Sequence, residues 1–220
     1  MIHQAEWDRQ RQALGLMTID AIRSLIDQGV TVLDPWSTVI SSGVCIGVGT
    51  VLYPGVVLQK DPASTLELGE GNRLFAGSVL LALGGGHISV GEGCELGPGT
   101  VTIKANRPDV SIVVSDGVRL LNGCELVGTC FLGRGAQVLG TVSAQSVYLE
   151  GGLGGHDWPN PDERGAVIKG MGLARGVRLQ RGEVVNVQGP GMPLQIERQS
   201  AYHATPDQKV PHDPSERNAR

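Results

Sequence analysis

Along most of the chain the apolar positions recur every six residues. Ile40, Ile46, Leu52 and Leu58 form one run, Leu68, Leu74 and Leu80 a second, and Val90 and Leu96 a third. The series resumes at Val114, Leu120, Leu126, Leu132 and Val138, and again at Val167, Leu173, Leu179 and Val185. Four residues after most of these positions stands a small side chain, Val, Thr, Ser, Ala or Cys. A helix repeats at about 3.6 residues and a half-buried strand at every second one, so a period of six fits neither. It predicts a hexapeptide-repeat β-helix, in which each hexapeptide is a short strand plus a turn and three make a triangular coil of about 18 residues. The apolar residue then points to the axis and stacks on its equivalent one coil away. Glycines directly after it, at 47, 69, 91, 97 and 133, suit backbone that turns sharply or approaches another coil.

Breaks in the phase locate departures from the regular coil. From Leu58 to Leu68, and from Leu80 to Val90, the step is ten, which places extra residues at a corner. Between Leu96 and Val114, "IKANRPDVS" puts Pro108 at an apolar position and predicts a loop. The longest interruption runs from Val138 to Val167. Before the repeat, "MTIDAIRSLIDQG" places Ile19, Ile22, Leu25 and Ile26 on one helical face, with Thr18 as N-cap and Gly29 past the end. That helix would cover the first coil, whose strand edges and apolar ladder are otherwise open. The expected organisation is an N-terminal helical cap over 1–29, a β-helix over 30–190 with inserted loops near 103–112 and 150–166, and a polar C-terminal tail over 191–220, extended or poorly ordered alone.

Composition agrees with a core of aliphatic ladders. The 220 residues include 33 glycines and only 4% aromatics, so something other than large rings fills the interior. A formal charge of −4, with both signs interspersed, gives no reason to expect nucleic acid or an anionic membrane as partner. No apolar run reaches membrane-spanning length and the N-terminus has no secretory signal pattern, so the expected location is cytoplasmic. Three of the four cysteines, Cys94, Cys124 and Cys130, fall in the small inward slot and read as small buried hydrophobes. No closely spaced histidine pair stands within the repeat, which argues against a zinc site.

The stretch "GVTVLDPWSTVISSGVCIGVGTVLYPG" carries Gly29, Val30, Thr31, Asp34 and Pro35, then Ile46, Gly47 and Pro54. It resembles the junction before the acetyltransferase domain of the bifunctional N-acetylglucosamine-1-phosphate uridyltransferase/glucosamine-1-phosphate acetyltransferases. More broadly, residues 30–190 resemble the bacterial hexapeptide-repeat acyltransferases. That resemblance implies an all-β, left-handed parallel β-helix assembled as a homotrimer, with acetyl-CoA as co-substrate and a small-molecule acceptor. The interruption "HDWPNPDERGAV" is similar to the H-P-x-D-P-x-x-R loop of the galactoside and maltose acetyltransferases, where the histidine takes a proton from the acceptor hydroxyl. On that likeness His156 is the candidate base.

A neutral imidazole near pH 7 suits deprotonation of a hydroxyl or amine as it attacks a thioester. Asp157 or Glu163 can orient the ring of His156, and Trp158 can stack on a sugar or adenine or pin the loop to a neighbouring subunit. Arg164 closes the loop motif and joins the candidate substrate-binding residues. So do His87, at a phase break, and Asn106, two residues beyond the place where the first resembled family carries an asparagine. Lys169, Arg175 and Arg181 recur every six residues and are the candidates for the phosphates of coenzyme A. The resulting expectation is an acetyl-CoA-dependent acyltransferase acting on a hydroxyl or amine of a sugar or similar small molecule. The alternative is a non-catalytic β-helix that serves as a binding or assembly module.

Overall fold

The computed structural model describes residues 4–154, 160–189 and 192–203. Short strands wind around one axis and stack into three faces, giving the expected all-β, left-handed parallel β-helix with helical structure at its N-terminal end. The first face runs from Thr31–Val32 through Val51–Leu52, Arg73–Leu74, Glu95–Leu96, Arg119–Leu121 and Gln137–Leu139 to Val167–Arg175 and Glu183–Gln188. The second runs from Val39–Ile40 to Val142–Gln145 and ends on the later residues of Val167–Arg175. The third runs from Cys45–Ile46 through Cys130–Leu132 and Tyr148–Leu149 to Arg178–Leu179. Successive coils pair in parallel, with strands of neighbouring coils about 4.8 Å apart.

Ladder residues read from the sequence fill the axis, joined by Ile103 and Leu149, which stood outside the six-residue series. Leu52, Leu74, Leu96, Leu120 and Val138 stack on the first face, Leu58, Leu80, Ile103 and Leu126 on the second, and Val90, Val114, Leu132 and Leu149 on the third, all buried. The small slot is a column at the corner before the first face: Thr50, Asn72, Cys94, Val118, Ala136 and Ala166, each fully buried. Thr50 and Asn72 are its polar members. The Asn72 Nδ2 donates to the carbonyls of Gly69 and Gly91, and its Oδ1 accepts from the amide of Cys94, so it clips adjacent coils together. Across the same corner a Cβ on Gly47 would lie 2.4 Å from the carbonyl carbon of Gly69. Only glycine lets these coils approach so closely.

Several details depart from the sequence reading. The ten-residue steps do not bulge outward. They lengthen the strands flanking the corner to four residues, Val57–Lys60 and Thr65–Leu68, then Val79–Ala82 and His87–Val90. A further buried ladder, Leu66, Ile88, Ile112 and Cys130, results. The same widening accommodates Pro108: residues 103–112 contain the strands Thr102–Ala105 and Ser111–Val114, with the turn confined to the residues between them. After the long interruption the ladder resumes at Ile168, thirty residues after Val138, and continues at Ala174, so the series read from the sequence at Val167 and Leu173 lies one residue early and Leu173 is 45% exposed. Between them the strand Val167–Arg175 turns a corner on Gly170 and Gly172, whose φ angles are +111° and +126°.

Two helices precede the coils. In α2 (Ile19–Asp27), Thr18 caps the amide of Ala21, and Ile19, Ile22 and Leu25 are buried, but Ile26 is exposed. The additional helix α1 (Gln4–Ala13) buries none of its side chains. Polar contacts hold it: Asp8 accepts from the amide of Ile19, and Arg11 donates to the carbonyls of Met17 and Thr38. At the other end Ile196–Arg198 returns as an antiparallel strand on Glu183–Gln188.

Candidate active site

The long interruption is a loop with a closed neck. Gln137 faces Val167 in the next coil, thirty residues on, whereas Arg119 faces Gln137 after eighteen. The chain leaves the third face after Leu149. Leu153 then donates its amide to the carbonyl of Glu163 and accepts from the amide of Gly165, which brings the two limbs together. A turn of 3-10 helix, Pro161–Glu163, stiffens the returning limb, with the Asn160 side chain accepting from the amide of Asp162. The C-terminal segment clamps that limb. Asp162 accepts from the amide and hydroxyl of Ser200 and pairs with Arg198, while the buried Gln199 donates to the carbonyl of Gly165. Burial alone would raise the Asp162 pKa, but the donors from Ser200 and Arg198 outweigh it and hold the carboxyl below its usual range.

At the foot of this neck lies an open groove of about 540 Å³ on the third face. Phe131 and Tyr148, opposite each other in adjacent coils, stack with ring centroids 5.1 Å apart. The Arg178 guanidinium lies 4.6 Å from the Tyr148 centroid, one coil further on. Phe131 and Tyr148 are each 37% exposed, so a stack of aromatic residues borders solvent in a chain that has few rings. Arg134 and Arg181 line the groove, and Arg181 is oriented by its Nε–H to the carbonyl of Gly151. A stack of rings between guanidinium groups can hold a planar group and a phosphate at once.

His156, Asp157 and Trp158 lie outside the described residues. Arg164 stands at the neck and, with Lys169, faces a separate cavity on the first face. Arg175 is at the end of the second face, with Nε and Nη2 on the side-chain oxygen of Gln145 at 3.1 and 2.8 Å. Lys169, Arg175 and Arg181 thus stand on three different sides of the last coils, and Arg181 alone of the three lines the groove. His87 and Asn106 share another place, the corner between the second and third faces. His87 is exposed between Thr65 and Ser111 on its face, and Asn106 belongs to the turn that stacks on Gly84. Phe131, Tyr148 and Arg134 were not among the residues singled out from the sequence. Their signal is an aromatic directly before each of two ladder residues, Leu132 and Leu149, at an outward position where this chain otherwise rarely spends a ring.

No protein-family profile matches this sequence, and no curated protein matches it. Among solved structures, the fold is similar to UDP-N-acetylglucosamine O-acyltransferase of Moraxella catarrhalis, at 15% identity and TM-score 0.42, over 78% of this chain and 70% of that one. It is similar to a hexapeptide transferase family protein of Anaplasma phagocytophilum, at 17% identity and TM-score 0.37, over 77% and 82%. A third is a mutant form of GDP-perosamine N-acetyltransferase from Caulobacter crescentus, in complex with CoA and GDP-perosamine, at 18% identity and TM-score 0.29, over 86% and 65%. With its three stacked faces, its six-residue ladders and its one long interruption, the chain is a hexapeptide-repeat β-helix protein.

Proposed function

We propose that this β-helix is an acyltransferase that moves an acetyl group from acetyl-CoA to a hydroxyl or amine of a sugar or similar small molecule. The observation that supports this most is the conjunction at the neck: the limbs of the long interruption, whose sequence carries His156, leave the coil directly beside a groove of stacked rings and arginines. Thioester transfer needs those parts together. For coenzyme A, Arg134 and Arg181 would offer guanidinium groups to the phosphates, beside the Glu150 carboxylate, and the exposed part of the Phe131–Tyr148–Arg178 stack would meet the adenine.

In this reading His156 takes the proton from the acceptor as its oxygen or nitrogen attacks the thioester carbonyl carbon, and Asp157 orients the ring. The carbonyl oxygen carries the developing charge toward a backbone N–H at the coil corner. The C–S bond then breaks, and the thiolate leaves with the proton that His156 returns. Trp158 and Arg164 contribute to the acceptor's side of the loop. The protein works as a homotrimer, the loop of one subunit reaching over a face of the next, and exposed apolar side chains such as Leu83, Met171 and Leu173 give those faces something to bury.

The test is thiol release from acetyl-CoA with a panel of amino and hydroxy sugars. His156→Ala should lower turnover by about 10²- to 10⁴-fold while leaving acetyl-CoA binding and the trimer intact. Arg181→Gln should weaken acetyl-CoA binding instead. Wild-type turnover in His156→Ala would remove the base, and a protein that neither binds nor turns over acetyl-CoA would establish the non-catalytic module.

A further inference from the structure

A second concavity, of about 330 Å³, lies on the first face beneath the returning C-terminal segment. Its floor comes from adjacent coils: Arg119 and Gln137 opposite each other, and Lys169 beyond Leu139. Arg164 enters from the neck, and Tyr202 and His203 form the roof. Three cations and a histidine therefore line one small space, and none of the described residues lining it is a carboxylate. In a chain of net charge −4 with acids and bases interspersed, this is a local reversal.

The nearby acids are already engaged. Glu95 accepts from Arg119 Nε at 2.9 Å and also meets Arg73. Glu197 accepts the hydroxyl hydrogen bond of Tyr202. The Lys169 ammonium sits 3.3 Å from the centroid of the Tyr202 ring, and burial pushes its pKa down against the opposing pull of Glu197. The roof is anchored: the Gln199 amide donates to Gly182, its side chain to Gly165, and the hydroxyl of Ser200 to Asp162. Arg119 thus shares its charge with Glu95 and Lys169 feels Glu197, and an anion entering this partly enclosed space would still be attracted by each cation that lines it.

We infer that this cavity binds the phosphate group of a small phosphorylated molecule, at a site distinct from the groove of the third face. A phosphate rather than a carboxylate matches the setting, because two guanidinium groups, an ammonium and an imidazole supply more donors and charge than a single carboxylate uses. The inference does not rest on acyl transfer.

The experiment is a titration of the full chain with inorganic phosphate, followed by calorimetry and by the imidazole proton resonances of His203. Saturable binding at one site per chain is expected, with movement of the His203 resonances. Lys169→Met and Arg119→Gln should each weaken it at least about tenfold, with unchanged circular dichroism. Arg107→Gln, at an exposed corner elsewhere, should leave it unchanged. Glucose 6-phosphate should compete with phosphate, and saturating acetyl-CoA should not. Three results would each overturn the proposal: no saturable binding, equal binding in the cavity variants, or displacement by acetyl-CoA, which would make these residues part of the donor site. Should a variant fail to fold, unmoved His203 resonances in the wild-type protein carry the same negative weight.

Discussion

Thiol chemistry tests the frame of the β-helix directly. Cys94, Cys124 and Cys130 are all about 1% exposed or less, whereas Cys45 is exposed on the third face. Burial is the dominant cause that pushes Cys94 up to about 11 and Cys124 up to about 12, and it raises Cys130 as well. At pH 7 the thiolate fraction is then about 10⁻⁴ for Cys94 and 10⁻⁵ for Cys124, against about 10⁻² for an ordinary free thiol. Ionisation alone slows these thiols by about a hundredfold or more, and a reagent must also enter a close-packed column. The native chain should release one equivalent of chromophore rapidly from a disulfide reagent, and all four after denaturation. Rapid labelling of two or more thiols in folded protein would place these side chains outside the coil and refute the register. The same shifts carry a stability consequence. A thiol whose pKa is raised by folding contributes fully below its unfolded value near 9 and loses that contribution as the pH climbs toward its folded value. Stability should therefore fall from about pH 9 upward, by about 1.4 kcal/mol per pH unit for each thiol still protonated in the folded state.

The remaining predictions concern single contacts. Ile88→Ala removes a fully buried member of the added ladder and should cost about 2–5 kcal/mol in urea unfolding, where a loss under about 1 would mean that the ladder is not packed. Asn72→Ala strands the Gly91 carbonyl and the Cys94 amide, while the Gly69 carbonyl keeps the Thr50 hydroxyl, and should lower stability by about 1–3 kcal/mol per group left unsatisfied; a neutral effect would deny the clip. Asp162 has a depressed pKa, so its hold on Ser200 and Arg198 is complete above the ordinary carboxylate value and lost as the pH falls below it. Limited proteolysis near residue 198 should accelerate below about pH 4, and Asp162→Asn should bring that acceleration to neutral pH.

The six-residue series marked most residues of the three main ladders, because burial at a triangular axis demands one aliphatic side chain per face. It failed where the demand changed. Leu66, Ile88 and Ile112 belong to a second inward position that exists only on the lengthened faces, and an alternating apolar pattern inside a ten-residue step was its trace. Leu173 fits a series begun at Val167 yet faces outward, because the ladder itself runs through Ile168 and Ala174, one residue later. Helix α1 left no periodic signal, since polar anchors hold it instead of an apolar stripe. At the candidate site, the sequence marked the loop by its histidine, tryptophan and charges. It did not mark the groove, whose members come from separate coils and meet only through the strand register.

The antiparallel strand at the C-terminal end has a consequence for assembly. A stack of parallel strands is a template that another copy could extend indefinitely along the axis, because its last coil repeats the hydrogen-bonding pattern of every coil before it. Ile196–Arg198 occupies the outer edge of Glu183–Gln188 with the opposite strand direction, as Arg198 meets Glu183 and Ile196 meets Val185. A second molecule arriving there finds Glu183–Val185 already paired, and an edge whose polarity no longer matches its own first coil. On this face the short segment that holds the neck of the loop thus stands in the way of end-to-end growth.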